Sequence, residues 1–207
     1  MDEHAATPRP TGTGVAVSAL AIGAAGLIGL AVLVRGAPLA VDALGLRLAG
    51  DLATGPATLV LEAANVLGSL PVWIVIVAAI ALVLARTSPR AAATLVLVNV
   101  AAEAASTAIK LIVDRARPST ADVTDLFVTS GFPSGHVTRT ALMVGALLVL
   151  VPWCRRHPRP TLVAGAAAVV VMGIARVWAQ AHYATDVLGA VFLAAALVAA
   201  WALARRR

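Results

Sequence analysis

Residues 63–85 read AANVLGSLPVWIVIVAAIALVLA, a run without a single charge that closes at Arg86. A helix of about 20 apolar residues crosses the ~30 Å hydrocarbon layer of a bilayer. This run, with its core at 68–85, therefore predicts a membrane span. Working outward, the same pattern recurs five times. Upstream, residues 10–34 are uncharged and stop at Arg35. Downstream, the short loop RTSPR (86–90) leads into 91–113, which holds Asn99, Glu103 and Lys110. Further runs cover about 136–153, 160–176 and 183–204. Residues 36–62 are interrupted by Asp42, Arg47, Asp51, Glu62 and the Gly55-Pro56 breaker, and predict short interfacial helices. The expected fold is an all-α, polytopic bundle of six transmembrane helices. Residues 1–13 (MDEHAATPRPTGT) lack the basic start of a signal peptide and predict a disordered cytoplasmic tail, with 14–207 as one membrane domain.

Composition agrees with a membrane protein. Of 207 residues, 60% are hydrophobic and 13% charged, and the mean hydropathy is +0.93. A soluble domain carries roughly a quarter charged residues. Disorder, an ordinary soluble enzyme and a disulfide-stapled secreted module are excluded. The lone Cys154 rules out an internal disulfide and a CxxC site. The net charge of +6 and a pI near 11.2 suit a nucleic-acid partner only if the basic residues form one solvated face. Here they are scattered between apolar runs, so no nucleic-acid partner is expected. With the N-terminus inside, Arg9, Arg86, Arg90, Arg155, Arg156, Arg159 and the three terminal arginines fall on the cytoplasmic side. That is nine of the sixteen basic residues, a majority in the sense of the positive-inside rule. Both termini are then cytoplasmic. The longest polar stretch after the tail, DRARPSTADVTDLFVTSGFPSG (114–135), is extracytoplasmic.

Three polar clusters sit at the outer ends of the last four spans. In the third, His182 and Asp186 are four apart and share a helix face. A carboxylate there fixes one imidazole tautomer and leaves the other nitrogen as nucleophile or base. In the second, Pro133-Ser134-Gly135-His136, Gly135 admits close backbone approach and the following helix start forms an anion site. His136 is placed there to protonate a leaving oxygen. The first pairs Lys110 with Arg117-Pro118, two cations suited to a dianionic phosphate, and Arg176 adds a third. Taken singly, these patterns have plain readings: a capped helix, a turn with an interfacial histidine, snorkelling anchors. Their ordered coincidence by chance is on the order of one in a million or lower. Together they supply what phosphoryl transfer through a phosphohistidine requires.

These clusters resemble the tripartite signature of the type 2 phosphatidic acid phosphatase superfamily, over about residues 60–200. The resemblance implies a membrane lipid-phosphate phosphatase without metal or cofactor. It implies His182 as nucleophile, Asp186 as its orienter and His136 as acid and then base. Lys110, Arg117, Arg176, Ser134 and Gly135 would bind phosphate. The implied partner is a lipid phosphate, first a polyprenyl diphosphate such as the undecaprenyl carrier, with phosphatidylglycerol phosphate and phosphatidic acid close behind. Ala175 departs from the pattern, which has serine there, and removes one hydrogen bond to phosphate. The same site in haloperoxidases belongs to soluble proteins. A transporter would need polar residues through the bilayer, and only Asn99 and Glu103 lie deep. Glu103 is expected to balance Lys110 or to make an interhelix hydrogen bond, and Arg139 to act as an interfacial anchor or substrate contact. Asp114, Asp122 and Asp125 are expected to be solvated or paired with Arg115, and His4 and His157 to have no role.

Overall fold

The computed structural model describes residues 12–52, 55–119 and 130–205. The tail expected over 1–13 lies outside this range except for Gly12 and Thr13, which open the first helix; Asp122 and Asp125 also lie outside it. The described residues form helices α1 (Gly12–Leu33), α2 (Ala40–Leu52), α3 (Pro56–Gly68), α4 (Leu70–Ala85), α5 (Pro89–Val113), α6 (Gly135–Leu150), α7 (Pro152–Arg156), α8 (Pro158–Trp178) and α9 (Ala184–Ala204). Proline occupies the first turn of α3, α4, α5, α7 and α8. There its missing N–H costs nothing and its fixed φ suits the helix. Ser88 caps α5 by accepting the Ala91 N–H at 3.3 Å. At the other end Asp114 takes the left-handed conformation, φ 47°, and its N–H closes on the Lys110 carbonyl.

Four helices, α1, α5, α8 and α9, are long and apolar enough to cross a membrane, and α3 with α4 passes as a fifth span bent by 69°. The expected second span is thus broken, and the break has a local cause. Ser69 is extended (φ −64°, ψ 146°), its N–H and hydroxyl both close on the Val66 carbonyl, and Pro71 follows in the first turn of α4. The expected fourth span shrinks to α6, whose 16 residues stop before Pro152. Sixteen residues of helix rise about 24 Å, short of the bilayer core.

α6 packs between α5, α8 and α9, and α1 lies along α9. Gly23 abuts Ala196 while Gly26 abuts Phe192, so α1 and α9 run antiparallel. Large apolar side chains such as Ile22, Leu82, Leu111 and Val163 are 64–71% exposed on the outer faces. Water would penalise such a surface and lipid does not, which marks a multi-pass membrane protein. Inside, the buried charged groups gather at one end of the bundle, where α5 ends and α6 and α9 begin. A buried charge is tolerated only when paired, so their pairing shows what this end is built around.

Candidate active site

His182 follows α8 by a tight turn in which Gln180 has φ 51° and the N–H groups of Ala181 and His182 both close on the Arg176 carbonyl. Its imidazole is fully buried, with Nδ1 2.7 Å from the Gly131 carbonyl oxygen. A carbonyl only accepts, so Nδ1 carries a proton, and in the neutral ring the lone pair is on Nε2. Asp186 lies one turn away, its Oδ2 3.5 Å from Nδ1. That oxygen accepts the Tyr183 N–H at 2.8 Å, and Oδ1 accepts from the Arg115 guanidinium. The short bond to the imidazole therefore comes from Gly131, with the Asp186 charge just behind it.

The loop before α6 threads this space tightly. The Gly131 N–H donates to the Arg115 carbonyl at 2.7 Å, and a Cβ at residue 131 would stand 3.1 Å from Asp186 Oδ2. Ser134 at the helix N-cap donates its N–H to the Asp186 carbonyl at 3.1 Å, tying the second polar cluster to the third. Its hydroxyl is buried and has no hydrogen-bond partner among the described residues. The first N–H groups of α6, from Gly135 onward, have no intrahelical acceptor and carry the positive end of the helix dipole. The first cluster meets the same loop: Lys110 Nζ and an Arg117 Nη donate to the Ser130 carbonyl at 3.0 and 3.4 Å. Arg176, in the last turn of α8, donates to Asn65 Oδ1 at 3.1 Å. Asn65 was not singled out in the sequence, although it is an amide in a charge-free run. His136 and Arg176 share the wall of a cavity of about 880 Å³ with Glu62, Asn65, Ser119 and Gln180. The Ala175 methyl instead packs in an apolar cluster with Leu61, Ala64, Val137 and Met172. Among the described residues no three His, Cys, Asp or Glu side chains are grouped to hold a metal ion.

Gly68, at the end of α3, matters through contact. A Cβ there would fall 2.5 Å from His136 Cδ2 and 2.9 Å from the Met172 thioether. Gly68→Ala is accordingly expected to displace the His136 ring and lower kcat by roughly 10-fold or more, since sub-ångström misplacement is costly in a preorganised site. A melting curve within a few degrees of wild type alongside a kcat assay checks that the loss lies in the site.

Three charged residues find their partners on other elements of the fold. Glu103 makes an interhelix hydrogen bond, the second of its two expectations, pairing with Arg139 of α6 at 2.7 and 3.0 Å. Arg139 is buried and also donates to the Gly68 carbonyl at 2.9 Å, so it pins α3 to α6 rather than snorkelling as an interfacial anchor. Of the three loop aspartates only Asp114 lies among the described residues, and it is exposed, as one of its two expectations had it. The Arg115 guanidinium is buried against Asp42 (2.6 Å), Thr185 (2.7 Å) and Asp186. Burial pushes the Asp42 carboxyl up. The Thr185 N–H and hydroxyl, the Leu39 N–H and Arg115 outweigh it and hold the group below the ordinary carboxylate range. A carboxylate depressed on folding stabilises the fold above its unfolded pKa and loses that contribution as pH falls through the folded value. Asp42→Asn is expected to lower the melting temperature at neutral pH and to flatten its decline below about pH 4, as thermal scans across pH would reveal.

The description "PAP2 superfamily" belongs to the family model that matches residues 91–207, more than half of the chain. No curated protein matches the sequence significantly. Among solved structures, the chain is similar to the crystal structure described as the first transmembrane PAP2 type phosphatidylglycerolphosphate phosphatase from Bacillus subtilis. The TM-score is 0.68 at 22% identity, covering 92% of this chain and 94% of that one. At that identity the likeness establishes the fold, and the family match reaches further because it spans all three polar clusters. A buried histidine with its tautomer set, cations converging beside a helix start, and helices suited to lipid thus sit in a chain that belongs to the PAP2 superfamily and is a membrane phosphatase.

Proposed function

We propose that the chain removes the terminal phosphate of a lipid phosphate through a phosphohistidine on His182. The observation that carries the reading is the 2.7 Å bond from His182 Nδ1 to the Gly131 carbonyl, which leaves Nε2 as a buried, correctly tautomerised nucleophile. Nε2 attacks phosphorus as the ester P–O bond breaks, and the leaving oxygen takes a proton from His136. Water, deprotonated by the same imidazole, then cleaves the P–N bond and releases inorganic phosphate. Lys110, Arg117, Arg176, the Ser134 hydroxyl and the Gly135 N–H hold the phosphoryl oxygens, where charge builds in the transition state. Asp186 stabilises the imidazolium.

The lipid is best read from the cavity beside His136. Its walls carry the Asn65 and Gln180 amides, the Ser69 and Ser119 hydroxyls and the Glu62 carboxylate. Amides and hydroxyls suit the glycerol that separates the two phosphates of phosphatidylglycerol phosphate, and Glu62 disfavours a second phosphate joined directly to the first. Phosphatidylglycerol phosphate is therefore placed ahead of the polyprenyl diphosphate that the sequence put first. The fold neighbour's own substrate supports the same order. Six membrane crossings with both termini cytoplasmic, and the site on the outer face, complete the proposal.

Purified protein offered phosphatidylglycerol phosphate, phosphatidic acid and undecaprenyl diphosphate in EDTA is expected to release phosphate fastest from the first. Release from none of the three would end the proposal. Reporters fused after Ser119 and after Arg207 are expected on opposite sides of the membrane, and same-side signals would refute the six crossings.

A further inference from the structure

Arg115 lies between α5 and the loop that leads to α6, in the stretch between Lys110 and Arg117. It is 4% exposed, yet its links run inward to the machinery around His182 rather than to the cavity. Its main chain holds the loop: the Arg115 N–H donates to the Ser130 hydroxyl at 3.0 Å and its carbonyl accepts the Gly131 N–H at 2.7 Å. Gly131 is the residue whose own carbonyl accepts the hydrogen bond from His182 Nδ1–H. Its side chain holds the carboxylate: one Nη donates to Asp186 Oδ1 and to the Thr185 hydroxyl, and the other to Asp42 Oδ2. Asp42 in turn accepts the Thr185 N–H and hydroxyl at 3.0 and 2.7 Å. The Tyr183 ring lies 4.5 Å beneath the guanidinium carbon. A planar fork with fixed donors joins two carboxylates in one geometry, which a lysine ammonium cannot reproduce.

We propose that Arg115 is a positioning residue that fixes the His182 tautomer from two sides, through Gly131 by its main chain and through Asp186 by its guanidinium, with Asp42 as the counter-charge that holds the fork in place. The proposal rests on the reading of His182 as nucleophile. It adds that α2, through Asp42, is part of what aligns the imidazole.

The test uses the full chain in detergent micelles, labelled with ¹⁵N-histidine, the His182 resonances being assigned by their loss in His182→Gln. Wild type is expected to show a single Nδ1–H tautomer for His182. Arg115→Ala is expected to show a mixture of tautomers, and Arg115→Lys, which keeps the charge and guards against a folding failure, an intermediate spectrum. On the best lipid substrate kcat is expected to fall roughly 100-fold in Arg115→Ala with KM little changed, the scale of a misaligned reacting group. Adding Arg115→Ala to Asp186→Asn is expected to cost no more than about 3-fold beyond Asp186→Asn alone, because the two act through one path. A wild-type His182 spectrum in both Arg115 variants overturns the proposal whatever the rates. If wild type releases no phosphate from any lipid, the phosphatase reading of the site fails, while the tautomer spectra still decide the part played by Arg115.

Discussion

His182→Gln is expected to lower kcat for phosphate release by a factor on the order of 10⁴–10⁶, the scale of removing a covalent nucleophile whose partners act as a unit. Glutamine is chosen over alanine because the ring is fully buried and its removal would open a cavity beside Gly131. The cations remain, with Lys110 and Arg117 on the Ser130 carbonyl and Arg176 on Asn65, so substrate affinity is expected to change by only a few-fold. Rapid acid-free quenching of a single turnover with ³²P-labelled lipid gives the sharper readout. Wild type should carry label that survives alkali and is lost in acid, as a phosphoramidate does, and the variant should carry none. A variant that retains a tenth of the wild-type kcat would place the nucleophile elsewhere.

The polar end of the bundle was legible in the sequence because the side chains proposed for catalysis are few, polar and set in a field of Ala, Val and Leu. His136, His182 and Asp186 stand out against that field. What pattern reading missed were their holders. Gly131 acts through a main-chain carbonyl, which no residue type announces. Arg115 and Asp42 pair across more than seventy positions, and along the chain each is one more interfacial charge. For Glu103 the sequence offered Lys110, two turns away on its own helix, or an interhelix bond to an unnamed partner, since helical periodicity names only neighbours on one face. Its partner Arg139 is reached when α5 and α6 pack.

The helices were legible to a similar degree and failed for a related reason. A hydropathy count adds residues without regard to φ and ψ, so the run over 63–85 gave no sign that Ser69 is extended. The signal that was present is punctuation, Gly68-Ser69 followed by Pro71, and it was outvoted by the apolar residues around it. The same count carried the fourth run through Pro152, where α6 has already ended. The first of these departures serves the site. The bend brings Gly68 against His136, and the α3 residues Glu62 and Asn65 line the cavity. A straight second span would not turn α3 away from α4, and the bend is what carries these groups to the cavity.

His136→Gln is expected to reveal the two halves of the reaction separately. Loss of a general acid costs roughly 10²–10⁴-fold when the leaving group is a poor one such as a lipid alkoxide. An aryl phosphate leaves without a proton, so its first step should slow far less, while the second step, which needs His136 to activate water, remains impaired. On an aryl phosphate the variant should therefore burst, releasing about one equivalent of phenolate and then stalling as labelled phosphoprotein accumulates. On the lipid it should show no burst and no accumulated label, because formation of the phosphoenzyme is then the slow step. The contrast follows from one imidazole serving as acid in the first step and base in the second. That dual use requires a ring held still, and the geometry provides it: the ring is buried, with Gly68 packed against it. Equal slowing on both substrates with no label would mean that His136 binds phosphate without transferring a proton. A burst on the aryl phosphate, in a chain whose His182→Gln variant forms no label, would assign the nucleophile and the acid to these two histidines independently.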